Sequence, residues 1–137
     1  MTKLLFDTNI ILDVLLNRQP HSECSAEVWA LVESAEASGF LSADALTTIY
    51  YFLRKEFGTV RSQAIIKKLL EVFTVATIDG DVVQEALRLR FTDFEDAVTA
   101  AAASSALCNF IVSRNTKDFR NSPVKALPPE QVLAMFG

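Results

Sequence analysis

The stretch LLFDTNIILDVLL, residues 4–16, decides the fold prediction. Most of its side chains are apolar, so the segment is expected to be buried, yet Asp7, Asn9 and Asp13 interrupt it. Burying a carboxylate without a partner costs a large amount of free energy. The sequence therefore predicts that some group in the folded protein compensates Asp7, and that group has to be found elsewhere in the chain.

The start of this stretch, KLLF at 3–6, predicts a short buried strand, and a helix follows at once through about Leu16. Further strands are predicted at 40–43, 73–78, 110–113 and 124–127, the last of them at an edge. Helices are predicted between the strands. The first of these begins at a Ser22 cap, the second covers 45–57 and ends at Gly58, and the third begins at Thr59. A fourth begins at a capping box formed by Asp81 and Gln84, and the last two cover 93–107 and 128–136. This alternation predicts an α/β fold with a parallel sheet covered by helices on both faces.

Length and composition favour one globular domain over residues 1–137, because no repeat or linker interrupts a chain that is 50% hydrophobic. No apolar run is long enough to span a membrane, and the first residues do not resemble a signal peptide, so a cytoplasmic location is expected. Cys24 and Cys108 form no metal-binding motif and are expected to be small buried hydrophobic side chains rather than a disulfide or a metal-binding pair. The only histidine, His21, excludes a multi-histidine zinc site and disfavours a histidine-based triad.

Acidic and amide side chains follow several of the predicted strands. In a parallel sheet, ligands bind outside the carboxyl ends of the strands. Each such residue also has a simpler interpretation, since Asp7 and Asp93 can cap helices and Asp118 can occupy a turn. The residues expected at this one edge of the sheet are Asp7, Asp44, Asp93, Asp96, Asn115 and Asp118.

Carboxylates that converge in one crevice repel each other and favour a bound cation. Oxygen ligands without cysteine or histidine suit Mg²⁺ or Mn²⁺. The formal net charge of −4 at first argues against a polyanionic partner. A cation bound among these acids would neutralise them locally, so the net charge does not exclude a nucleic acid.

Four segments in order carry a family resemblance: LLFDTNIILDVLL, LSADALTTIYYFLRK, DFEDAVTAAAA and IVSRNTKDF. Together they resemble a PIN domain, most closely the VapC-like toxins of bacterial toxin–antitoxin pairs, over nearly the whole chain. The resemblance implies a three-layer α/β/α sandwich with a mainly parallel sheet. It also implies a Mg²⁺- or Mn²⁺-dependent ribonuclease that leaves 5′-phosphate and 3′-hydroxyl ends, forms a homodimer and is inhibited by a small antitoxin protein.

By this resemblance, Asp7, Asp96 and Asp118 are the predicted catalytic acids, and Asp93 and Asn115 complete the predicted metal-binding set. Thr8, Asn9 and Ser113 fall where polar side chains support the site, and Asp44 and Thr48 complete that supporting group.

Position 48 departs from the family pattern. PIN domains usually carry a glutamate early in the helix after the second strand, and by spacing that position is Thr48. A hydroxyl is a weaker cation ligand than a carboxylate. Asp44 either supplies the missing charge or caps the helix, and capping is the favoured interpretation; Asp93 is a second candidate for compensation.

Three functions remain open from the sequence. The favoured one is a metal-dependent endoribonuclease, and the alternative is a catalytically degenerate PIN domain that binds protein or RNA. A phosphoryl-transfer receiver or phosphatase is disfavoured, because FDTN provides one acid where those classes need two.

The basic segment at 54–68 is a candidate RNA-binding surface, although a solvated helix face is the favoured interpretation. An Asp13–Arg18 ion pair is a further possibility.

Overall fold

The computed structural model describes residues 1–137. Its centre is a five-stranded, entirely parallel sheet in the order β3–β2–β1–β4–β5. The strands are β1 (Lys3–Phe6), β2 (Ser38–Ser42), β3 (Thr74–Ala76), β4 (Phe110–Val112) and β5 (Lys125–Leu127). The helices are α1 (Thr8–Leu15), α2 (Ser22–Glu33), α3 (Ala43–Val72), α4 (Gly80–Arg88), α5 (Phe94–Ser105) and α6 (Pro129–Phe136), with a 3₁₀ helix at Thr116–Phe119.

Strand β1 lies in the middle of the sheet and separates two hydrophobic cores. Leu4 and Phe6 point into the larger core, with α1, α2, α3 and α6, whereas Leu5 points into the smaller core, with α4 and α5. All three side chains are fully buried. Because side chains alternate across a strand, this continuous apolar run fits a strand covered on both faces. The predicted α/β/α sandwich is confirmed.

Several predicted boundaries need correction. Ser22 is the first residue of α2 and not its cap, and that helix ends at Glu33, so the following strand begins at Ser38 rather than at residue 40. Strand β3 covers only Thr74–Ala76 of the predicted 73–78. Helix α4 is capped by Asp79, whose carboxylate accepts a hydrogen bond from the Val82 amide, and not through Asp81.

The two helices predicted on either side of Gly58 both lie within α3 and meet at a kink at this residue. Gly58 has φ 78° and ψ 175°, and residues other than glycine rarely adopt such a positive φ. The sequence therefore located the break correctly, because the two predicted helices are the segments before and after this residue. The first segment begins at the carboxyl end of β2 and carries Asp44 and Thr48 towards the functional edge.

No helix combines the length and apolar composition that crossing a lipid bilayer requires. Cys24 and Cys108 are free thiols, as expected; Cys108 is buried, whereas Cys24 is only partly buried.

Candidate active site

The carboxyl ends of β1, β2 and β4 and the start of α5 meet around a cleft of about 320 Å³. The cleft collects the predicted acids and several polar neighbours from four separate chain segments. Its lining residues include Asp7, Thr8, Asn9, Asp44, Thr48, Asp93, Glu95, Asp96, Thr99, Asn115 and Asp118. Of the predicted site residues only Ser113 does not line the cleft, and its hydroxyl donates a hydrogen bond to Asp7.

Asp7 is held at this edge by backbone and side-chain contacts. Its amide donates to the carbonyl of Val112 at 2.9 Å, which continues the β1–β4 pairing by one residue. One carboxylate oxygen accepts the Thr8 amide at 2.9 Å, so Asp7 caps α1. The other oxygen accepts the Ser113 hydroxyl at 2.8 Å. The capping interpretation of Asp7 is therefore correct, and the same carboxylate also faces the cleft.

Ser113 links two segments of the site. Besides donating to Asp7, its hydroxyl oxygen accepts the amide of Asn115 at 3.0 Å. Its own amide donates to the carbonyl of Leu127 at 3.0 Å, which fixes it at the end of β4. The Ser113 side chain is thus the connection between the first acid and the loop that carries Asn115 and Asp118.

Asp93 and Asp96 are brought together by the first turn of α5. Asp93 caps this helix, since its carboxylate accepts the Asp96 amide at 3.1 Å. Asp96 lies in that turn and is partly buried. Burial raises the pKa of Asp96 to about 7, and repulsion from Asp93, Asp7 and Asp118 adds to the rise. The protein therefore does not fully stabilise the charged form of the Asp96 carboxyl group.

Burial also raises the pKa of Asp7, although the Ser113 hydroxyl, the Thr8 amide and the charge of Arg114 counteract part of this rise. The site thus holds two carboxylates whose charged forms the protein does not fully stabilise. A bound cation would supply what these acids lack. No group of three acidic, histidine or cysteine side chains is arranged closely enough to hold a metal ion without movement.

Asp44 does not cap α3, contrary to the favoured interpretation. The cap position is occupied by Ser42, and Asp44 lies in the first turn, where one carboxylate oxygen accepts the Ser42 hydroxyl at 2.7 Å. Both Asp44 and Thr48 face the cleft. Asp44 is therefore available as a source of negative charge beside the position where the family glutamate is missing.

Neither Glu95 nor Arg114 was assigned a role from the sequence. Glu95 lines the cleft next to Asp96 and adds a carboxylate that no sequence motif had indicated. Arg114 binds Asp13 through two hydrogen bonds, from Nε at 2.8 Å and from Nη2 at 3.1 Å. The sequence indicated that Asp13, in an apolar helix, needs a cationic partner, but it did not indicate that this partner is Arg114.

The Asp13–Arg18 ion pair considered from the sequence is present but long, at 4.0 Å between Arg18 Nη1 and Asp13 Oδ1. Arg18 donates instead to the side-chain oxygen of Asn9 at 3.2 Å. Asn9, which lines the cleft, is therefore oriented from behind by an arginine. Asp13 itself is fully buried and also accepts the Ser25 hydroxyl at 3.3 Å.

Comparisons with known proteins agree with this arrangement. A family model described as the PIN domain matches residues 3–117. A curated relative, Ribonuclease VapC1 from Aquifex aeolicus, is 25% identical over 134 residues, which cover 94% of this chain and 92% of the relative.

Solved structures share the fold. A toxin–antitoxin complex from Klebsiella pneumoniae has a chain with TM-score 0.71 and 22% identity, covering 92% of this chain and 97% of that one. VapC20 from Mycobacterium tuberculosis, a toxin described as cleaving the sarcin–ricin loop, has TM-score 0.62 and 15% identity over 79% of this chain and 86% of its own. With the match over residues 3–117, the resemblance inferred from the four motifs is confirmed, and the chain belongs to the PIN-domain family.

Proposed function

We propose that this protein is an endoribonuclease that hydrolyses RNA phosphodiester bonds and serves as the toxin of a toxin–antitoxin pair. The observation that carries the proposal is the acidic cleft at the carboxyl edge of the sheet, assembled from four segments of a PIN domain. Relatives support it, since one is named a ribonuclease and another is described as cleaving an RNA loop.

The donor set fits one or two Mg²⁺ or Mn²⁺ ions. All candidate ligands are oxygen atoms, from Asp7, Asp96 and Asp118 with Asp93 and Asn115 assisting, and such ligands suit these cations. No three acids are gathered at binding distance, but a Mg²⁺ ion needs only one or two carboxylates because it keeps several bound waters. Such an ion, when bound, lowers the pKa of a coordinated water and stabilises negative charge at the phosphate.

The chain's own residues fix the geometry of the reaction. The Ser113 hydroxyl restrains Asp7, and Arg114, bound to buried Asp13, anchors the start of the loop that carries Asn115 and Asp118. Preorganised ligands matter because small displacements of catalytic groups lower rates strongly. Thr8, Asn9, Asp44 and Thr48 form the remaining polar wall of the cleft.

A cleavage assay tests the proposal. Purified, antitoxin-free protein is incubated with total bacterial RNA and Mn²⁺ or EDTA, beside the variants Asp7→Asn and Asp96→Asn. Discrete fragments that require Mn²⁺ and are absent with both variants are the expected result. Asp81→Asn, which removes an exposed acid from the first turn of α4, is the matched control and should cleave normally. Normal cleavage by either cleft variant would overturn the site assignment.

One observation favours a second candidate, a degenerate PIN domain that acts as a binding module. Thr48 lines the cleft, and by the resemblance it stands where the family usually has a carboxylate. Calorimetric titration with Mn²⁺ separates the two functions, because a scaffold does not need the ion. Sub-millimolar binding that Asp7→Asn abolishes would support the nuclease, whereas no binding by folded protein would support the scaffold.

The proposed partner is a small antitoxin protein. Structural neighbours were solved in such assemblies, including VapBC2 from Rickettsia felis bound to promoter DNA, with TM-score 0.70 and 15% identity. Because PIN toxins are expected to dimerise, a homodimer is also proposed for the free protein. Co-expression with the product of the adjacent gene, followed by size-exclusion chromatography, tests both assemblies.

A further inference from the structure

A second cleft, of about 470 Å³, opens directly beside the acidic one. The two clefts share Asp93, Asp96 and Asp118, so they form one continuous depression. The second differs in charge, because its remaining wall carries the basic side chains of Arg90, Lys117 and Arg120. We call these three residues the basic wall.

The three cations of the basic wall have no acidic partner. The ion pairs of the protein join Arg18 and Arg114 to Asp13 and Arg88 to Glu85. No nitrogen of the basic wall lies within 4.0 Å of a carboxylate oxygen, although shared acids line the same cleft. All three side chains are exposed. Their charges are therefore free to bind an anion.

Contacts beneath the basic wall connect the two segments that carry it. The side-chain amide of Asn121 donates to the backbone carbonyl of Arg90 at 3.2 Å. Phe91 packs edge-to-face on buried Phe119, with ring centroids 6.0 Å apart. The end of α4 and the 3₁₀ helix are thus tied together, and the cations project from a supported surface rather than from independent loops.

We propose that Arg90, Lys117 and Arg120 form a subsite for the backbone phosphate next to the scissile one in a single-stranded RNA. This deepens the proposed function and rests on it for the position of the scissile phosphate, at the shared acids. Each cleft has the volume of a site for one small ligand, so together they accommodate successive nucleotides. Single strands are the usual targets of sequence-specific RNA recognition.

The basic segment of α3 is the competing surface, and its contacts argue against it. Lys55 lies over the Tyr51 ring at 4.4 Å and Arg61 over the Phe57 ring at 4.4 Å, so these cations already have partners. The segment also continues beyond Gly58, away from the acidic edge. The basic wall, by contrast, is concave and shares three residues with the acidic cleft.

The test uses the double variant Lys117→Gln/Arg120→Gln. Its matched control is Arg54→Gln/Lys67→Gln, which removes one arginine and one lysine from the exposed surface of α3. Binding of a fluorescein-labelled single-stranded RNA of mixed sequence is measured in EDTA over a series of salt concentrations, so that no cleavage occurs. Thermal melting establishes that both variants are folded.

The basic-wall variant should bind this RNA about tenfold more weakly at low salt, because a protein that neutralises fewer phosphates releases fewer of the counterions that drive binding. Its salt dependence should fall by about 0.7 in the slope of log K against log salt for each phosphate that the variant no longer neutralises. With cleavable RNA and Mn²⁺, KM should rise while kcat at saturation changes little. The control variant should match the wild type in each measurement.

The outcomes separate this inference from the proposed function. Equal RNA binding by the two double variants would overturn the basic-wall subsite, even if the wild type cleaves RNA. Weaker binding by the basic-wall variant alone, from a protein that never cleaves, would uphold the RNA subsite and reject the nuclease. A fall in kcat without a change in KM would also overturn the subsite.

Discussion

Asp7 and Asp13 come from the same apolar stretch, yet the protein treats their charges in opposite ways. Asp13 is fully buried and receives two hydrogen bonds from Arg114 and one from Ser25. Asp7 receives only a hydroxyl and an amide, and its pKa is raised by burial. The fully compensated acid stabilises the structure, whereas the under-compensated acid faces a cleft and is left to interact with a ligand. The partner of a carboxylate, more than its burial, distinguishes the two roles.

Removing the partner of Asp13 should give the largest loss of stability. Arg114→Met leaves a fully buried carboxylate without its main cation, and breaking a buried pair in this way costs about 3–5 kcal/mol. We expect about 3 kcal/mol, because Arg18 remains 4.0 Å from Asp13. Urea denaturation measures the free energy of unfolding.

The control for this variant is Arg88→Met, which breaks an exposed pair with Glu85 at 3.1 Å. Exposed pairs contribute about 0–1 kcal/mol. Equal free energies of unfolding for the two methionine variants would contradict the view that Asp13 depends on Arg114.

The raised pKa of Asp96 predicts a pH-dependent stability for the metal-free protein. Since the folded-state pKa is about 7 and the ordinary value is 3.8, the folded chain binds more protons than the unfolded chain between these pH values. The free energy of unfolding therefore falls as pH rises from about 4 to about 7. Because Asp96 is only partly buried, the expected loss is on the order of 1 kcal/mol.

Chemical denaturation in EDTA across this pH range tests the prediction. In the Asp96→Asn variant, the free energy of unfolding should decrease less as pH rises. The control variant Asp81→Asn, at an exposed site, should show the same decrease as the wild type. If Asp96→Asn kept the full pH dependence of the wild type, Asp96 would not be the group responsible for it.

Restoring a carboxylate at position 48 should strengthen cation binding. Thr48→Glu adds a charged oxygen ligand to the cleft, and we expect Mn²⁺ affinity to rise by about three- to tenfold. Thr47→Glu places the same charge on the exposed neighbouring position and is the matched control. Calorimetric titration gives both affinities, and equal gains would mean that general electrostatic attraction, rather than a ligand at position 48, is responsible.

Neutralising Asp7 should change stability least. Asn retains an oxygen that can accept the Thr8 amide, and it removes a charge that burial disfavours, so the free energy of unfolding in EDTA should change by about 0.5 kcal/mol or less. Asp13→Asn should destabilise the protein clearly, since it leaves Arg114 without its carboxylate. Similar urea midpoints for the two variants would remove the distinction between these acids.

Much of the site could be predicted from the sequence because its residues follow strand ends or, for Asp96, lie in the first turn of a helix. Asp7, Asp96, Asn115 and Asp118 all lie at the edge where parallel strands place their carboxyl ends. The roles of these residues remain predictions until the variants are tested. The assignment of Asp44 as a cap was wrong, because the choice between adjacent polar residues at a helix start depends on backbone angles that the pattern does not specify.

The sequence by itself determined the alternation of strands and helices, the break at Gly58 and the carboxyl edge as the place of the acids, because each depends on local periodicity or backbone preference. Only the tertiary structure decided that Arg114, about a hundred residues away, compensates Asp13, and that Arg90 faces the same cleft as Lys117 and Arg120. Charge pairing acts through space, and residues distant in the chain become neighbours only after the sheet has assembled. For that reason the partner of each buried acid was decided by the fold.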